Sequence, residues 1–287
     1  MPGWMKRALA PLMMLATLGG CSTTGMLGAV EPKSGVAITR NLSYGEGLRR
    51  GLDVYAPKRA KGAPVVIFFY GGSWDSGSRG LYTFVGAALA KRGYVVIIPD
   101  YRVYPEVRWP AFLEDSAQAV RWARDHAADY GGDPKRLVLM GHSAGAYNAA
   151  MLTYDKRWLA AVGMDPDKDI RAFVGLAGPY DFLPLKSEEL KTIFGPEDTR
   201  PATQPIQYVS AAAPPALLVT DTADTVVDPG NVARMATAIQ AKGGRAETRA
   251  YKGLGHALLI GTFASPLRGL APAFNDACAF IDANTTH

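Results

Sequence analysis

The residues best suited to covalent chemistry are grouped around one serine. Ser143 lies in the run Gly141-His142-Ser143-Ala144-Gly145, directly after the apolar stretch 137–140 and at the start of a small-residue segment typical of a helix. A serine at a sharp strand-to-helix turn is held exposed, and the flanking glycines let the backbone turn that tightly. The helix N-terminus behind it offers free N–H groups to a developing oxyanion. We therefore predict that Ser143 is a nucleophile; the alternative, a chance Gly-x-Ser-x-Gly run in a turn, is disfavoured by this context.

A serine hydroxyl is a weak nucleophile at neutral pH and needs an adjacent base. The chain has four histidines. His126 lies inside a long predicted helix, His142 adjoins the nucleophile but is expected to point elsewhere, and His287 is the last residue. His256 directly follows the last predicted strand, so we predict that it is the base.

The third group of such a site is a carboxylate that fixes the imidazole tautomer and stabilises the imidazolium. Asp221, Asp224 and Asp228 all follow the penultimate predicted strand, 216–220. Each is a candidate on the residues alone.

A second source of oxyanion N–H groups is expected after an earlier strand. The run Tyr70-Gly71-Gly72-Ser73-Trp74 stands at the end of the apolar strand 65–69. Its glycines could also mark only a tight turn, and Trp74 could be a core aromatic residue.

The elements around these motifs alternate between strand-like and helix-like patterns. Several strand candidates are continuous apolar runs, which are typical of strands covered on both faces. The pattern predicts a mostly parallel sheet with helices on both faces. The predicted strands are 52–55, 65–70, 94–99, 136–140, 172–176, 216–220 and 247–251, and the predicted helices are 82–91, 110–130, 144–154, 231–242 and 267–283. Residues 183–210 break this alternation and predict a small cap over the site.

In these motifs the sequence resembles the α/β-hydrolase family, and within it the hormone-sensitive-lipase-like and kynurenine-formamidase-like carboxylesterases. The resemblance covers nearly the whole chain after its N-terminal segment. It also includes Asp100-Tyr101-Arg102, Pro105-Glu106 and the helix start 110–115. The chain departs from the family at Tyr70, where a histidine is usual, and at Ser73, where many members have a third glycine.

The resemblance implies a role for each residue of the site. The oxyanion donors correspond to the backbone N–H groups of Gly72, Ser73 and Ala144. The family pattern of strand-x-Gly-x-x-Asp-x-x-Val assigns the acid to Asp224. Asp221 stands where the family usually has glycine, and it remains the second candidate for the acid.

The resemblance also implies a function: a serine carboxylic-ester hydrolase that acts through an acyl-enzyme on short-chain or small esters. An amidase, formamidase or peptidase with the same three residues is the alternative. A non-catalytic binding protein of this fold is less favoured, since such proteins usually lose one of the three. The few His and Cys residues are too far apart for a zinc site, and no Gly-x-Gly-x-x-Gly or phosphate loop accompanies the strands, so no metal or cofactor is predicted.

The N-terminus predicts export. Lys6 and Arg7 precede an apolar run, 8–18, that is long enough for a signal peptide and too short to span a membrane. The ending Leu18-Gly19-Gly20-Cys21 resembles a bacterial lipoprotein signal, which implies a lipid on Cys21 and a periplasm-facing membrane anchor. An ordinary secretory signal, with Cys21 paired to Cys278 in a periplasmic or secreted protein, is the alternative.

The chain therefore divides into a signal peptide, 1–20, a flexible tether, 21–35, and one α/β-hydrolase domain, 36–287. The net charge of +5, from 31 basic and 26 acidic residues, falls to +3 (5 − 2) without the two residues of the signal. So small a scattered charge argues against a nucleic-acid partner.

Overall fold

The computed structural model describes the backbone of residues 20–286 and the side chains of residues 25–286. Residues 1–19, which are the predicted signal peptide without Gly20, lie outside the described residues. So do the side chain of Cys21 and the whole of His287. Within residues 20–286, no helix is both long enough and apolar enough to cross a bilayer.

Eight strands form one sheet in the order β1-β2-β4-β3-β5-β6-β7-β8. β2 pairs antiparallel with β1 and β4, and every other pair is parallel. The strands are β1 Val36–Ser43, β2 Gly51–Pro57, β3 Ala63–Phe69, β4 Val95–Pro99, β5 Gly132–His142, β6 Ile170–Leu176, β7 Ala216–Asp221 and β8 Ala246–Tyr251. The seven predicted strands are confirmed, and β1 is an additional edge strand whose largely exposed side chains give no apolar run.

Helices cover both faces of this sheet. They are α1 Gly20–Val30, α2 Thr83–Arg92, α3 Ala111–His126, α4 Ala144–Tyr154, α5 Arg157–Ala160, α6 Pro166–Asp169, α7 Glu188–Phe194, α8 Gly230–Ala241, α9 Gly255–Gly261 and α10 Ala273–Asn284. The predicted last helix, 267–283, is interrupted: a 3-10 segment, Ser265–Leu270, precedes α10. Pro272 separates the two, because proline has no backbone N–H with which to continue a helix.

The central strands are buried on both sides, which explains their unbroken apolar composition. All five residues of β4 and the last five of β3 are buried. β8, at the opposite edge from β1, has a polar sequence and no fully buried residue. The α/β-hydrolase fold predicted from this alternation is confirmed.

The segment predicted as a flexible tether contains the helix α1, so the structure differs from the prediction over residues 21–30. Its small residues let the helix approach the body closely: a Cβ on Gly28 would lie 3.4 Å from the Cβ of Thr83. Leu27 packs against the core. Glu31 is 2% exposed and accepts hydrogen bonds from the backbone N–H of Ser265 (2.6 Å) and its hydroxyl (2.9 Å).

The predicted cap consists of α7 followed by two 3-10 segments, 197–203 and 205–208. Phe194 at the end of α7 is buried, with its ring centroid 4.8 Å from that of Trp74. The cap is thereby packed onto the loop that follows β3.

Candidate active site

Ser143 occupies the turn between β5 and α4. Its backbone has φ 55° and ψ −125°, a left-handed conformation that non-glycine residues rarely adopt. A Cβ on Gly145 would lie 2.1 Å from the carbonyl oxygen of Phe69, and one on Gly141 would lie 2.3 Å from that of Gly145. Both glycines are therefore required by close backbone contacts, as the sequence motif predicts.

Gly71 is a site residue that sequence reasoning treated only as part of a turn. A Cβ at this position would lie 2.9 Å from the Cβ of Ser143 and 3.1 Å from Nδ1 of His142. The loop after β3 can approach the nucleophile this closely only because residue 71 has no side chain. The adjacent glycine pair was the available signal.

The structure brings the predicted base and acid to the serine. Nε2 of His256 is 2.9 Å from Oγ of Ser143, and its Nδ1 is 2.7 Å from Oδ2 of Asp224. His256 lies in the first turn of α9, and Asp224 lies in the loop after β7. The carboxyl ends of neighbouring parallel strands thus converge on one hydrogen-bonded series of side chains.

The surroundings of Asp224 favour its ionised form. Burial raises the pKa of its carboxyl group, but the hydrogen bond with His256 and those from the N–H groups of Val226 (2.8 Å) and Val227 (3.0 Å) outweigh this effect. The net result is a pKa below the ordinary value of an aspartate. An ionised carboxylate at this place can orient the imidazole and stabilise its protonated form.

Asp221, the second candidate for the acid, makes no hydrogen bond with His256. Its carboxylate is fully buried and accepts instead from backbone N–H groups, including those of Gly253 and Gly255. Asp228 accepts a hydrogen bond from the N–H of Gly230, the first residue of α8, at 2.9 Å and pairs with Arg234. The geometry therefore favours Asp224 over both neighbours.

The predicted oxyanion donors lie close to the nucleophile, with one distinction among them. Ser73 and Ala144 line the same cleft as Ser143, whereas Gly72 does not. Ala144 is the first residue of α4, so its N–H has no acceptor within the helix. The N–H of Ser73 likewise has no hydrogen-bond acceptor among residues 20–286. Two residues with unpaired N–H groups thus line the cleft together with the serine.

Tyr70, which stands where the family usually has histidine, anchors the loop from within the core. Its hydroxyl donates to Oδ1 of Asp100 at 2.9 Å, and its ring stacks on Tyr101 with centroids 4.8 Å apart. Tyr101 in turn donates to the carbonyl of Tyr70 at 2.7 Å. Trp74 is a core residue, 3% exposed, whose indole N–H donates to Asn148 at 3.0 Å.

His142 was expected to point away from the site, but it lies beside His256. Its ring is buried, with a centroid 4.9 Å from that of His256, and its Nε2 lies 3.3 Å from the backbone carbonyl oxygen of His256. The neighbour of a nucleophile in sequence was assumed to face the other side of the strand. The sharp turn at Ser143 instead keeps both side chains on the side of His256. His126 is exposed near the end of α3, as predicted.

An open cleft of about 1030 Å³ lies above Ser143, between the cap and the loops that follow β3 and β7. It is lined by five carboxylates and two basic side chains, namely Asp75, Asp181, Glu189, Asp224, Asp228, Lys186 and Arg234. Arg234 pairs with Asp181 at 2.6 Å and with Asp228 at 3.1 Å, so its charge is already balanced. The cleft is therefore acidic.

Asn231 holds the loop after β6 beneath this cleft, and sequence reasoning did not identify it. It is 2% exposed, and its side-chain oxygen accepts from the N–H groups of Tyr180 and Asp181, each at 2.8 Å. Asp181 in the same loop pairs with Arg234 of α8 at 2.6 Å, which ties the loop to that helix. Within the described part of the chain, no three His, Cys, Asp or Glu side chains are close enough together to hold a metal ion.

Comparison with known proteins finds similar sequences among esterases. A probable isoprenylcysteine alpha-carbonyl methylesterase of Arabidopsis thaliana is 30% identical over 81% of this chain and 53% of its own length. Esterase LipC of Mycobacterium tuberculosis is 33% identical over 66% of this chain and 51% of its own. The chain thus spans about half the length of these two curated relatives.

A solved structure with the same architecture is that of Thermogutta terrifontis esterase 2 in its apo form. It is 26% identical and has a TM-score of 0.70, with 88% of this chain and 96% of that chain covered. The same esterase is also known phosphoramylated by tabun.

The family model named BD-FAE matches residues 52–239. That range contains the oxyanion loop, the nucleophile turn and Asp224, and it ends before His256. With the sheet order and site geometry described above, this match places the chain in the BD-FAE family of α/β-hydrolase-fold proteins.

Proposed function

We propose that this protein is a serine hydrolase that cleaves carboxylic esters through a covalent acyl-enzyme. The observation that carries the proposal is the series Ser143–His256–Asp224, joined at 2.9 and 2.7 Å below an open cleft. Similarity to esterases and a methylesterase in sequence supports the ester as the bond that is cleaved.

In the first half-reaction, Oγ of Ser143 attacks the ester carbonyl while Nε2 of His256 takes its proton. Asp224, bonded to Nδ1, stabilises the imidazolium that forms. The N–H groups of Ala144 and Ser73 stabilise the negative oxygen of the tetrahedral intermediate, with Gly72 as the third donor implied by the family pattern. His256 then gives the proton to the leaving alcohol, and the acyl group remains on Ser143.

In the second half-reaction, water replaces the alcohol. His256 removes a proton from the water as it attacks the acyl carbonyl, and returns a proton to Oγ of Ser143 when the acid leaves. The same N–H groups stabilise the second tetrahedral intermediate, so no further catalytic group is required.

We propose small or short-chain esters as substrates. The cap contributes only one short helix, α7, and the cleft above Ser143 is open and lined by charged side chains. An open cleft of this kind does not enclose a long acyl chain, so the apolar surface of such a chain would stay partly exposed to water. A series of p-nitrophenyl esters from acetate to palmitate should give kcat/KM values that fall beyond the short chains; a maximum at palmitate would refute this preference.

The covalent mechanism is tested with a fluorophosphonate probe and intact mass. The wild-type protein should gain one adduct on Ser143 and lose its esterase activity in parallel, and Ser143→Ala should do neither. Absence of labelling in folded wild-type protein would exclude the serine mechanism. An ester and an anilide of the same acyl group, compared as kcat/KM, separate an esterase from an amidase.

We also propose that the protein is exported and anchored by a lipid on Cys21. The signal-like sequence before Cys21 supports this, as does the burial of Cys278, which is a free thiol only 2% exposed in α10. Mass analysis of the mature N-terminus in a bacterial host should find a diacylglyceryl group. Cys21→Ser should release the protein from the membrane fraction; an intact Cys21–Cys278 disulfide would support the secretory alternative.

A further inference from the structure

Asp221 is the most completely bonded carboxylate near the site, yet the proposed reaction does not use it. Oδ1 accepts from the N–H groups of Ala223 (2.9 Å), Gly253 (3.2 Å) and Gly255 (3.0 Å). Oδ2 accepts from the N–H of Leu254 at 3.1 Å. The side chain is 0% exposed, so all of these bonds are shielded from water.

These four donors belong to the two loops that carry the catalytic side chains. Ala223 directly precedes Asp224, and Gly255 directly precedes His256. Asp221 itself is the last residue of β7, where it is opposite Tyr251 at the end of β8. One carboxylate thus joins the acid loop and the base loop at the point where both leave the sheet.

The backbone of residues 253–255 is shaped to bind an anion. Gly253 has φ 90°, Leu254 lies in the right-handed helical region at φ −86° and ψ −37°, and Gly255 has φ 66°. Alternation of left- and right-handed residues points successive N–H groups toward one centre, which forms an anion-binding concavity. The carboxylate of Asp221 fills that concavity in this structure.

We propose that Asp221 is a positioning residue, which holds the loop before His256 so that the imidazole lies between Ser143 and Asp224. It touches neither the substrate nor the reacting atoms. The proposal rests on the serine-hydrolase function proposed above and adds to it the device that fixes the base.

The charge of Asp221 suits this role. Burial raises the pKa of its carboxyl group, but the four backbone N–H donors outweigh burial and leave the pKa below the ordinary value. The group therefore remains an ionised acceptor at neutral pH. A glycine at position 221 would leave the concavity at residues 253–255 without its carboxylate.

Asp221→Asn tests the proposal because it preserves size but directs an NH₂ group at one or more of the four N–H donors. We expect kcat to fall about ten- to hundredfold, the loss associated with a misplaced catalytic group, while KM changes by less than about threefold. The low-field proton resonance of the His256–Asp224 hydrogen bond should weaken or broaden in the same variant, since the imidazole is no longer held in one place.

Asp115→Asn is the matched control. Asp115 is also 0% exposed and accepts from a backbone N–H, that of Arg102 at 3.1 Å, but it pairs with Arg50 and Arg102 and not with the loops that carry Asp224 and His256. This variant should lose thermal stability while its kcat and its low-field resonance stay at wild-type values. Equal loss of kcat in the two variants would overturn the proposal, because it would show only a general effect of a damaged core.

Asp221→Gly is a second variant, and it keeps the proposal testable even if the Asp221→Asn protein fails to fold. It removes the carboxylate and leaves space beside the three N–H groups of the concavity. Added formate should restore part of kcat with saturation, whereas formamide should not, and neither should affect the wild-type protein. An Asp221→Gly protein as active as wild type would overturn the proposal; an inactive wild-type protein in the same assay would instead refute the serine-hydrolase function.

Discussion

Nε2 of His142 lies 3.3 Å from the backbone carbonyl oxygen of His256, and the two imidazole rings are 4.9 Å apart. A proton on Nε2 of His142 makes this contact a hydrogen bond to the main chain of the base. The residue just before the nucleophile thereby supports the residue that activates it. His142 must stay neutral in this position, since His256 becomes positively charged during the reaction.

We expect His142 to make folding stability depend on pH. Burial, followed by the nearby His256, lowers its pKa from 6.5 to about 3. Between these values the unfolded chain binds a proton that the folded protein does not, so stability is present above pH 6.5 and is lost as the pH falls toward about 3. His142→Gln should make the slope of unfolding free energy against pH in this window smaller by at most about 1.4 kcal/mol per pH unit. Urea unfolding at several pH values between about 3 and 6.5 measures this slope, and His126→Gln, at an exposed histidine, is the control. Identical slopes in the two variants would contradict the prediction.

Asp224→Asn, compared with Asp228→Asn, should show which aspartate is the acid of the triad. Asparagine can keep the contact with Nδ1 of His256 but favours the wrong imidazole tautomer, so kcat should fall by about a thousandfold or more with little change in KM. Steady-state hydrolysis of a p-nitrophenyl ester measures both constants. Asp228→Asn, which affects the hydrogen bond from Gly230 at the start of α8 instead, should retain kcat within about threefold. If Asp228→Asn were the more damaging change, the assignment of the acid would be wrong.

Gly71→Ala should inactivate the site through a single methyl group. The added Cβ would lie 2.9 Å from the Cβ of Ser143, so either the loop or the nucleophile must shift. We expect a fall in kcat of about a hundredfold and a stability loss of about 1–3 kcal/mol from overpacking. Gly269→Ala is the control, because its added Cβ would meet no atom within 4 Å. Phosphonate labelling rates and thermal unfolding report the two effects; unchanged labelling of Gly71→Ala would contradict the close approach.

The acidic cleft should select against negatively charged substrates. Asp75 and Glu189 line it without any ion-pair partner among the described residues, while Arg234 is already paired. A monoester of succinate should therefore show a kcat/KM about tenfold or more below that of a neutral butyrate ester with the same leaving group, most clearly at low salt.

Asp75→Asn together with Glu189→Gln should reduce the difference in kcat/KM between the succinate monoester and the butyrate ester. Glu114→Gln, which removes an exposed carboxylate from α3 outside the cleft, should leave it as it is. A succinate monoester hydrolysed as fast as butyrate by the wild-type protein would show that the lining charge does not reach the bound acyl group.

Glu31 should hold the N-terminal segment on the domain. Its carboxylate is buried, accepts two hydrogen bonds from the exposed Ser265 and lies 3.7 Å from the partly exposed Arg268. Removing the charge with Glu31→Gln should cost about 1–3 kcal/mol of unfolding free energy and speed tryptic cleavage after Lys33. The exposed Glu197→Gln serves as control. Cleavage at the wild-type rate in Glu31→Gln would mean that other contacts hold the segment.

The parts of this protein that could be predicted from sequence are those with a local physical signature. Unbroken apolar runs identify β3 and β4 because both faces of these strands are covered. The Gly-x-Ser-x-Gly run identifies Ser143 because a tight turn leaves its mark on adjacent residues. Chain order then narrows the base to His256, one of four histidines.

The features that sequence reasoning missed depend on distant contacts. The place of His142 beside His256 joins residues 114 positions apart, and no local pattern records it. The two roles of Asp221 and Asp224 become visible only in the structure, where Asp224 bonds to the imidazole of His256 and Asp221 accepts from the N–H groups of residues 253–255. The edge strand β1 and the helix α1 were missed because one is largely exposed and the other is built from small residues that resemble a linker.

The position of His256 after the last strand of the sheet has a consequence for biosynthesis. The helix that carries it follows β8, the last strand to be made, and packs beside α1, the first helix of the described chain. The nucleophile turn and the acid loop can both form on a growing chain that still has no base. The proposed hydrolytic activity therefore cannot appear before α9 has been made, so a chain cut after β7 would have the serine and the acid but no base.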